Sequence, residues 1–361
     1  MLETLIGIAG RRARNAKIAQ FIAEGNRLSS LDARLEQLRE WASDRLSLRD
    51  FSVQPASEDA SFRRYFRLRV DGASWIVMDA PPEREDCGAF VEVANLMGAA
   101  GLHVPQIIAR DIERGFLLLT DLGMTTYLAA LDESNADALF SDAVDALIRW
   151  QLATRTGVLP PYDEGLLMRE LELFPEWYMT RHLGLAPDAV ERRLLDETFE
   201  RLTVCALSQP KVYVHRDYMP RNLMVSDPNP GVLDFQDAVY GPVAYDVVSL
   251  FRDAFLSWPE ERVLGWTVGY WERARRAGLP VDADFQAFYR DFEWMGLQRH
   301  IKVLGIFARI HYRDGKPGYL ADTPRFLHYA RMVAGRYAEL AGFVRLLDRV
   351  EERSARAAYT N

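Results

Sequence analysis

One short segment, residues 211–240, constrains this chain most, because it interrupts a long stretch of helical periodicity with strand-length apolar runs. The runs are KVYV, LMVS and GVLDF. His215 and Asp217 follow the first run. Asn222 immediately precedes the second run, and Asp234 lies near the end of the third. We therefore expect two carboxylates and an amide to converge from loop ends on one cleft.

This set of side chains suits phosphoryl transfer. Mg²⁺ prefers oxygen ligands, which Asn222 and Asp234 can supply, and it neutralises phosphate oxygens. Asp217 is placed to orient an attacking hydroxyl and to accept its proton, while His215 is expected to brace the loop. The sequence thus predicts a kinase that uses ATP and Mg²⁺. The alternative is a loop in which the aspartate and asparagine only cap turns.

Length and periodicity predict two lobes. The chain has 361 residues, whereas a single core usually stops growing at roughly 250–300. Residues 31–122 are predicted to form a β-rich, nucleotide-binding lobe, residues 123–361 a helical catalytic and substrate-binding lobe, and residues 1–30 an extension of unknown role. Asp71–Gly72 is the predicted turn of a hairpin. The predicted strands are 48–54, 64–70, 73–79, 104–110 and 115–120, and the predicted helices are 31–46, 84–100, 134–155, 164–183, 187–208, 243–256, 259–277, 282–312 and 322–345.

Composition narrows the class of protein. The net charge of -8 disfavours a nucleic-acid backbone as the main partner, and no apolar run approaches the ~18 residues of a membrane span. Cys87 and Cys205 are far apart and are predicted to be reduced, buried thiols of a cytoplasmic protein. The sequence gives no sign of an obligate protein partner.

The catalytic segment resembles a known superfamily. His215-Arg216-Asp217 through Asn222, followed by Asp234-Phe235, is similar to the loops of protein kinases and of the aminoglycoside phosphotransferase/choline kinase superfamily. No A-P-E segment is present, and FQDAVYGPVAYDVVSL is similar to the small-molecule kinases. The resemblance implies an α+β, bilobal, protein-kinase-like fold with a small antiparallel β lobe carrying one inserted helix. It also implies that Asp246 opens a helix and supports the catalytic loop.

Within that superfamily, the chain resembles the bacterial anomeric kinases of N-acetylmuramate and N-acetylglucosamine. The segments that carry this likeness are DASFRRYFRL, WIVMDAPPE, LLLTDLG, LFPEWYMTRHLG, HRDYMPRNLMV, LDFQDA and GLQRHIKVLGIFARIHYRDGK. The likeness implies phosphorylation of the C1 hydroxyl, with a sugar 1-phosphate as the product for peptidoglycan recycling.

The nucleotide-binding part departs from the protein-kinase pattern. The segment ASEDASFRRYF has no glycine, and Met78 stands where a strand lysine would grip the phosphates. Small residues still let backbone amides approach phosphate, and Arg63 or Arg64 either adds charge or faces solvent. Glu92 either pairs with an arginine such as Arg64 or is a solvated helix residue. The resemblance also implies that backbone groups just after the last strand of this lobe bind adenine. The predicted nucleotide-binding residues are Ala60, Ser61, Phe62, Arg63, Arg64, Glu92, Thr120, Asp121 and Leu122.

Substrate residues follow from the chemistry of the implied sugar. N-acetylmuramate carries a lactyl carboxylate, which a guanidinium such as that of Arg181 or Arg299 can bind. Gln298 and His300 are further candidates for binding this carboxylate. Trp177 is a candidate for stacking on the sugar ring. Core packing is the alternative for the aromatic residue, and a solvated face or an ion pair is the alternative for each arginine.

Two other functions remain open from the sequence. One is a superfamily kinase that acts on an aminoglycoside, a choline-like alcohol or another sugar. The other is a pseudokinase that binds nucleotide without transferring phosphate. Met78 and the missing glycines favour the pseudokinase, whereas the intact Asp217, Asn222 and Asp234 oppose it.

Overall fold

The computed structural model describes residues 33–57 and 62–360, with the side chains of the last helix as far as residue 356. The predicted extension 1–30 and two predicted phosphate-binding residues, Ala60 and Ser61, lie outside the described residues. The chain divides into two compact units. The smaller ends at Cys87 and takes up again over Gln106–Asp121, and the larger comprises Gly88–Pro105 and the chain from Leu122 onward.

The smaller unit is a helix packed on an antiparallel sheet. Helix α1 covers residues 33–46. The strands are β1 (Ser52–Ser57), β2 (Arg64–Val70), β3 (Ala73–Asp79), β4 (Ile107–Asp111) and β5 (Phe116–Thr120), in the order β1-β2-β3-β5-β4. Leu38 and Trp41 of α1 share a buried core with sheet residues such as Phe66, Val77 and Leu118. The hydrophobic spacing of α1 is thus satisfied by the sheet.

The predicted hairpin turn is confirmed. Val70 pairs with Ala73, which leaves Asp71 and Gly72 as a two-residue loop with φ of 47° and 83°. Positive φ at both positions matches the right-handed twist of the flanking strands, and aspartate and glycine tolerate it. The first strand begins later than predicted, because the backbone N–H of Leu48 still donates to Ser43 at the end of α1.

The larger unit is mainly helical. Buried residues of its longest helix, including Leu297, Ile301 and Leu304, share one core with residues of the neighbouring helices such as Leu195 and Phe343. Its helices are α2 (Cys87–Ala99), α3 (Tyr127–Ala130), α4 (Ala136–Leu152), α5 (Glu164–Leu171), α6 (Ala189–Ser208), α7 (Tyr245–Phe251), α8 (Glu260–Arg276), α9 (Phe285–Asp314), α10 (Thr323–Arg336) and α11 (Ala341–Thr360).

Two predicted helices prove to be divided. The prediction of one helix over 164–183 is wrong, because α5 is followed by a separate π-helical segment, Phe174–His182. Pro175 has no N–H to continue the α-helical ladder, and the Leu183 N–H donates five residues back, to Tyr178. The prediction over 322–345 is wrong for a similar reason, because Tyr337 is extended between α10 and α11.

Two composition-based predictions concern cysteines and membranes. Both cysteines are free thiols, but only Cys87 is buried, so the prediction of a buried Cys205 is wrong. Within residues 33–57 and 62–360, no helix combines the length and the hydrophobicity that a membrane span requires.

Candidate active site

Two short antiparallel β-ribbons carry the loops that contain His215, Asp217 and Asp234. β6 (Lys211–Val214) pairs with β9 (Val239–Pro242), and β7 (Leu223–Met224) pairs with β8 (Gly231–Val232). The backbone N–H of Leu233 donates to the carbonyl of Asn222 at 2.9 Å. The loop after β6 and the loop after β8 are therefore held side by side.

Asp246, at the start of α7, supports the loop after β6. Its fully buried carboxylate accepts the backbone N–H of His215 at 2.7 Å and that of Arg216 at 3.0 Å. Arg216 has a φ of 76°, a left-handed conformation that a non-glycine residue rarely adopts. Burial raises the pKa of Asp246 to about 7, against the two backbone N–H groups, which lower it. The carboxylate is the contact that holds this strained turn.

His215 braces the same loop from inside. Its side chain is completely buried, Nε2 lies 3.0 Å from the carbonyl of Leu233, and Nδ1 accepts the Asp217 N–H at 3.3 Å. These partners require the proton on Nε2 and a free lone pair on Nδ1. Burial lowers the pKa of His215 to about 4, so the ring is neutral at physiological pH. It joins the two loops without carrying charge.

Asp217, Asn222 and Asp234 meet where the two loops lie side by side. The amide nitrogen of Asn222 donates to the Asp217 carbonyl at 2.9 Å and lies 3.3 Å from the Asp234 carboxylate. The Asp217 side chain is 39% exposed, whereas Asn222 is buried. Gln236 donates to the other carboxylate oxygen of Asp234 at 2.8 Å. Gln236 was not predicted from the sequence, although it is the next polar residue after Asp234.

The donor set at this place suits a hard cation. Because the amide nitrogen of Asn222 is used within the loops, its oxygen is left to accept, beside the carboxylate of Asp234. Among the described residues, no three His, Cys, Asp or Glu side chains cluster as metal ligands. A Mg²⁺ ion held here by these two residues would complete its shell with water and phosphate oxygens, as this ion commonly does.

A buried charge cluster adjoins the loop. Glu170 of α5 pairs with Arg216 at 2.5 Å and with Lys302 of α9 at 2.9 Å. Its other oxygen accepts from the hydroxyl of Tyr162 and from Gln298. Burial alone would raise the pKa of Glu170, but the two cations outweigh it and hold the pKa at about 2. Glu170 was not predicted from the sequence, because both of its cationic partners lie far from it in the chain.

The predicted substrate residues fall into three groups. Arg299 is buried on α9 with its guanidinium 3.9 Å from the Asp217 carboxylate. Gln298 is buried in the charge cluster, and His300 is buried against the rings of Phe326 and Tyr329 on α10, at centroid distances of 5.6 and 5.2 Å.

Arg181 and Trp177 form the third group, on the π-helical segment. The Arg181 guanidinium lies 6.0 Å from the centre of the Trp177 ring, and Arg181 is exposed. In the part of the chain that the structure describes, no hydrogen bond or ion pair joins either side chain to Asp217. Of the five predicted substrate residues, only Arg299 directly approaches the Asp217 carboxylate.

The predicted nucleotide-binding arginines of the smaller unit both face carboxylates. Arg63 pairs with Glu85 at 3.0 Å, and Arg64 donates to the fully buried Asp79, with Nε at 2.9 Å. Phe62 is exposed and lies under the guanidinium of Arg84, whose carbon is 4.4 Å from the ring centre. Both arginines are therefore ion-paired within this unit, although Asp79 is shared with Arg34, whose Nε lies 2.6 Å from it.

The remaining predicted nucleotide-binding residues lie at the end of β5 and in the larger unit. Thr120 accepts the Gln106 N–H at 2.9 Å, and Asp121 binds Arg67 of β2 through two nitrogens at 2.6 and 3.1 Å. In the larger unit, Leu122 packs over β8, and Glu92 is exposed on α2.

Two relatives match the sequence of this chain over nearly their whole length. The N-acetylmuramate/N-acetylglucosamine kinase of Pseudomonas putida is 53% identical over 330 residues, covering 89% of this chain and 97% of that protein. The kinase of the same name from Pseudomonas aeruginosa is 52% identical over 326 residues, covering 88% and 96%. These likenesses confirm the resemblance to the subgroup found in the sequence.

A solved structure shows the same fold. The choline kinase of Streptococcus pneumoniae matches with a TM-score of 0.59 at 13% identity, covering 81% of this chain and 99% of that one. The predicted α+β fold of the superfamily is thus confirmed. The phosphotransferase enzyme family matches residues 52–283, which include the whole loop region from His215 to Asp246. The chain therefore belongs to the phosphotransferase enzyme family.

Proposed function

We propose that this protein transfers the γ-phosphate of ATP to the anomeric C1 hydroxyl of N-acetylmuramate and N-acetylglucosamine. The observation that carries the proposal is the identity of 53% and 52% to two kinases of that name, over 97% and 96% of their lengths. The product is a sugar 1-phosphate, which would enter peptidoglycan recycling. Because ATP is a cytoplasmic substrate, the proposal also places the reaction in the cytoplasm.

Asp217 is the proposed general base. In this reaction the C1 hydroxyl gives its proton to the Asp217 carboxylate, its oxygen bonds to the γ-phosphorus, and the bond from that phosphorus to the β-phosphate oxygen breaks to release ADP. The exposure of this carboxylate supports the role, since an acceptor can reach it. Mg²⁺ held by Asn222 and Asp234 would neutralise charge on the phosphates.

His215 and Asp246 are proposed to serve the reaction by position. His215 is buried and neutral, and its two nitrogens are bonded within the loops, so it fixes where Asp217 points. Asp246 holds the turn through two backbone N–H groups. Catalysis in this account is mainly alignment and charge neutralisation, the usual strategy of phosphoryl transfer.

Arg299 is the substrate residue that the geometry supports best. An acceptor oxygen that approaches Asp217 would also come within reach of this guanidinium, whose Nη1 lies 3.9 Å from the carboxylate. Arg181 remains the exposed candidate for the lactyl carboxylate, and Trp177 the candidate for ring stacking. Gln298 and His300 are buried in contacts within the protein and are proposed to position Arg299 between them.

The nucleotide-binding assignment stays a proposal for the residues around the end of β5 and for Phe62, Arg63 and Arg64. Arg63 and Arg64 would have to exchange their carboxylate partners for phosphate, because both are ion-paired. Met78 is completely buried in β3, so it offers no polar group in place of a strand lysine. The phosphates therefore depend on backbone amides and the metal ion in this account.

The acceptor tests this function. ADP release from ATP and Mg²⁺ is measured with N-acetylmuramate, N-acetylglucosamine, their methyl glycosides (in which C1 carries no free hydroxyl), an aminoglycoside and choline. We expect turnover with the two free sugars and none with the glycosides. Turnover only with the aminoglycoside or choline would support the second kinase function. The absence of turnover with every one of these acceptors would support a pseudokinase. Turnover of the glycosides would overturn the C1 assignment.

A further inference from the structure

We infer that Glu170 is a positioning residue, which sets the orientation of the catalytic loop through its ion pair with Arg216. The inference rests on the proposed function only in that the loop transfers phosphate. It does not depend on which acceptor is used. Glu170 lies on α5, 47 residues before Asp217 in the chain.

The contact reaches the loop at its most strained position. Arg216 immediately precedes Asp217 and has a φ of 76°, which its surroundings must enforce. Asp246 holds its backbone N–H, and Glu170 holds its guanidinium at 2.5 Å. With both ends of Arg216 fixed, the direction in which the next residue leaves the turn is fixed as well.

Glu170 is itself held from several sides. Lys302 of α9 lies 2.9 Å from one of its oxygens and also donates to the hydroxyl of Tyr245 on α7 at 3.0 Å. Tyr162, before α5, donates to the other oxygen, and Gln298 lies 3.4 Å from it. A carboxylate bound on this many sides has little freedom to move, so the guanidinium that it holds has little freedom either.

The Arg216 side chain could occupy another position if its contact with Glu170 were lost. An open cavity of about 380 Å³ borders it on another side, and Asp163, Arg169, Gln236 and Asp237 are among the lining residues. The guanidinium already lies 3.5 Å from the carbonyl of Asp237. Without Glu170, the carbonyl and carboxylate of Asp237 would attract Arg216 and draw the turn away from the position that it has in the structure.

The first test replaces Glu170 with glutamine and compares it with Glu172→Gln. Glu172 lies two residues further on, is 40% exposed, and pairs with Arg192 away from the loop, so it is a matched control. kcat and the KM for ATP are measured as ADP release, per molecule of nucleotide-binding enzyme. We expect Glu170→Gln to lower kcat by about tenfold or more, with the KM for ATP within about threefold of wild type, and Glu172→Gln to change neither.

The normalisation separates positioning from folding. A merely structural role would reduce the amount of nucleotide-binding enzyme and leave its kcat unchanged, and that result would overturn the inference. Glu170→Asp retains the charge with a shorter reach, and we expect it to recover part of the lost kcat. If Glu170→Asp recovered none of the lost kcat, this result would also contradict a role of the ion pair in positioning the loop.

Glu170→Gln removes the carboxylate that pairs with two buried cations, so this variant could fail to fold. A second variant tests the inference in that case. The pair Glu170→Gln with Lys302→Met removes one charge of each sign and still leaves Arg216 unanchored. We expect this folded variant to retain the loss of kcat, and a wild-type kcat would overturn the inference. If the wild-type enzyme uses neither amino sugar, the proposed function fails, and the same comparison is made on its hydrolysis of ATP.

Discussion

The carboxylate of Asp246 accepts the backbone N–H of His215 at 2.7 Å, and this contact joins α7 to the loop that carries Asp217. The second oxygen of the same carboxylate accepts the N–H of Arg216. One buried side chain thus satisfies two consecutive backbone donors at a strained turn. This arrangement makes the geometry of the loop depend on a residue about thirty positions later in the chain.

Asp246→Asn tests this dependence. An amide offers one oxygen where the carboxylate offered two, so one backbone N–H would face an NH₂ group. We expect the free energy of unfolding to fall by about 1–3 kcal/mol and kcat to fall with it, as measured by urea denaturation and ADP release. Ser249→Ala on the same helix is the control, because its buried hydroxyl has no hydrogen-bond partner among the described residues. Equal stability and activity in the two variants would contradict this account of the loop.

Asp217→Asn tests the proposed base. We expect kcat to fall by about 100-fold or more, because the amide cannot accept the hydroxyl proton, while the affinity for ATP changes little. Steady-state kinetics and nucleotide titration measure the two quantities. Asp44→Asn, an exposed position on α1, serves as the control and should match wild type. Near-normal turnover by Asp217→Asn would show that the base lies elsewhere.

His300 predicts a pH dependence of stability. Burial lowers the pKa of His300 to about 3, whereas in the unfolded chain the ordinary value is 6.5. Its neutral form therefore stabilises the fold above pH 6.5, and this contribution is lost as the pH falls from 6.5 towards 3. We expect His300→Phe to reduce the loss of unfolding free energy between pH 7 and pH 5 by about 2 kcal/mol, as measured by denaturation at each pH.

The control for His300 is an exposed histidine on the helix that packs against it. His328→Phe replaces an exposed imidazole on the outer side of α10 with a phenyl ring, and we expect its stability profile to run parallel to that of wild type. If His300→Phe and wild type also gave parallel profiles, His300 would not be held neutral by its surroundings.

Gly115 tests the packing of the smaller unit. It has a φ of 73°, and a Cβ added to it would lie 1.8 Å from the carbonyl oxygen of Ala80. We expect Gly115→Ala to lower the free energy of unfolding by about 2–4 kcal/mol, as measured by urea denaturation. Gly98→Ala is the matched control, because its Cβ would meet nothing within 4 Å on a helix and should add up to about 1 kcal/mol. Equal effects would contradict the close approach at Gly115.

Features that depend on neighbours in the chain could be predicted. The Asp71–Gly72 turn was one, since two adjacent residues with positive φ define it. The strands β6, β7 and β8 were others, because short apolar runs flank the polar positions, whereas β9 was not predicted. Helix ends were harder. Residues 164–183 keep a helical hydrophobic pattern through Pro175, and only the missing N–H of that residue marks the change to π-helical geometry.

Contacts between distant parts of the chain could not be predicted. Glu170 and Lys302 lie on different helices, and no local sequence pattern connects them. In the sequence, a buried glutamate on a helix cannot be distinguished from a solvent-exposed one. The same holds for Arg64, whose partner was left open between phosphate, solvent and Glu92. The structure places it on Asp79, a cross-strand neighbour that the register of β2 and β3 brings opposite.

The phosphorus NMR spectrum of the product tests the central claim most directly. Wild-type enzyme is incubated with ATP, Mg²⁺ and N-acetylmuramate, and the position of the new phosphate is read from its coupling to the sugar protons. We predict one sugar phosphate, coupled to the anomeric proton at C1, and its absence with Asp217→Asn. A phosphate on C6 or on any other hydroxyl, formed by wild-type enzyme, would contradict it.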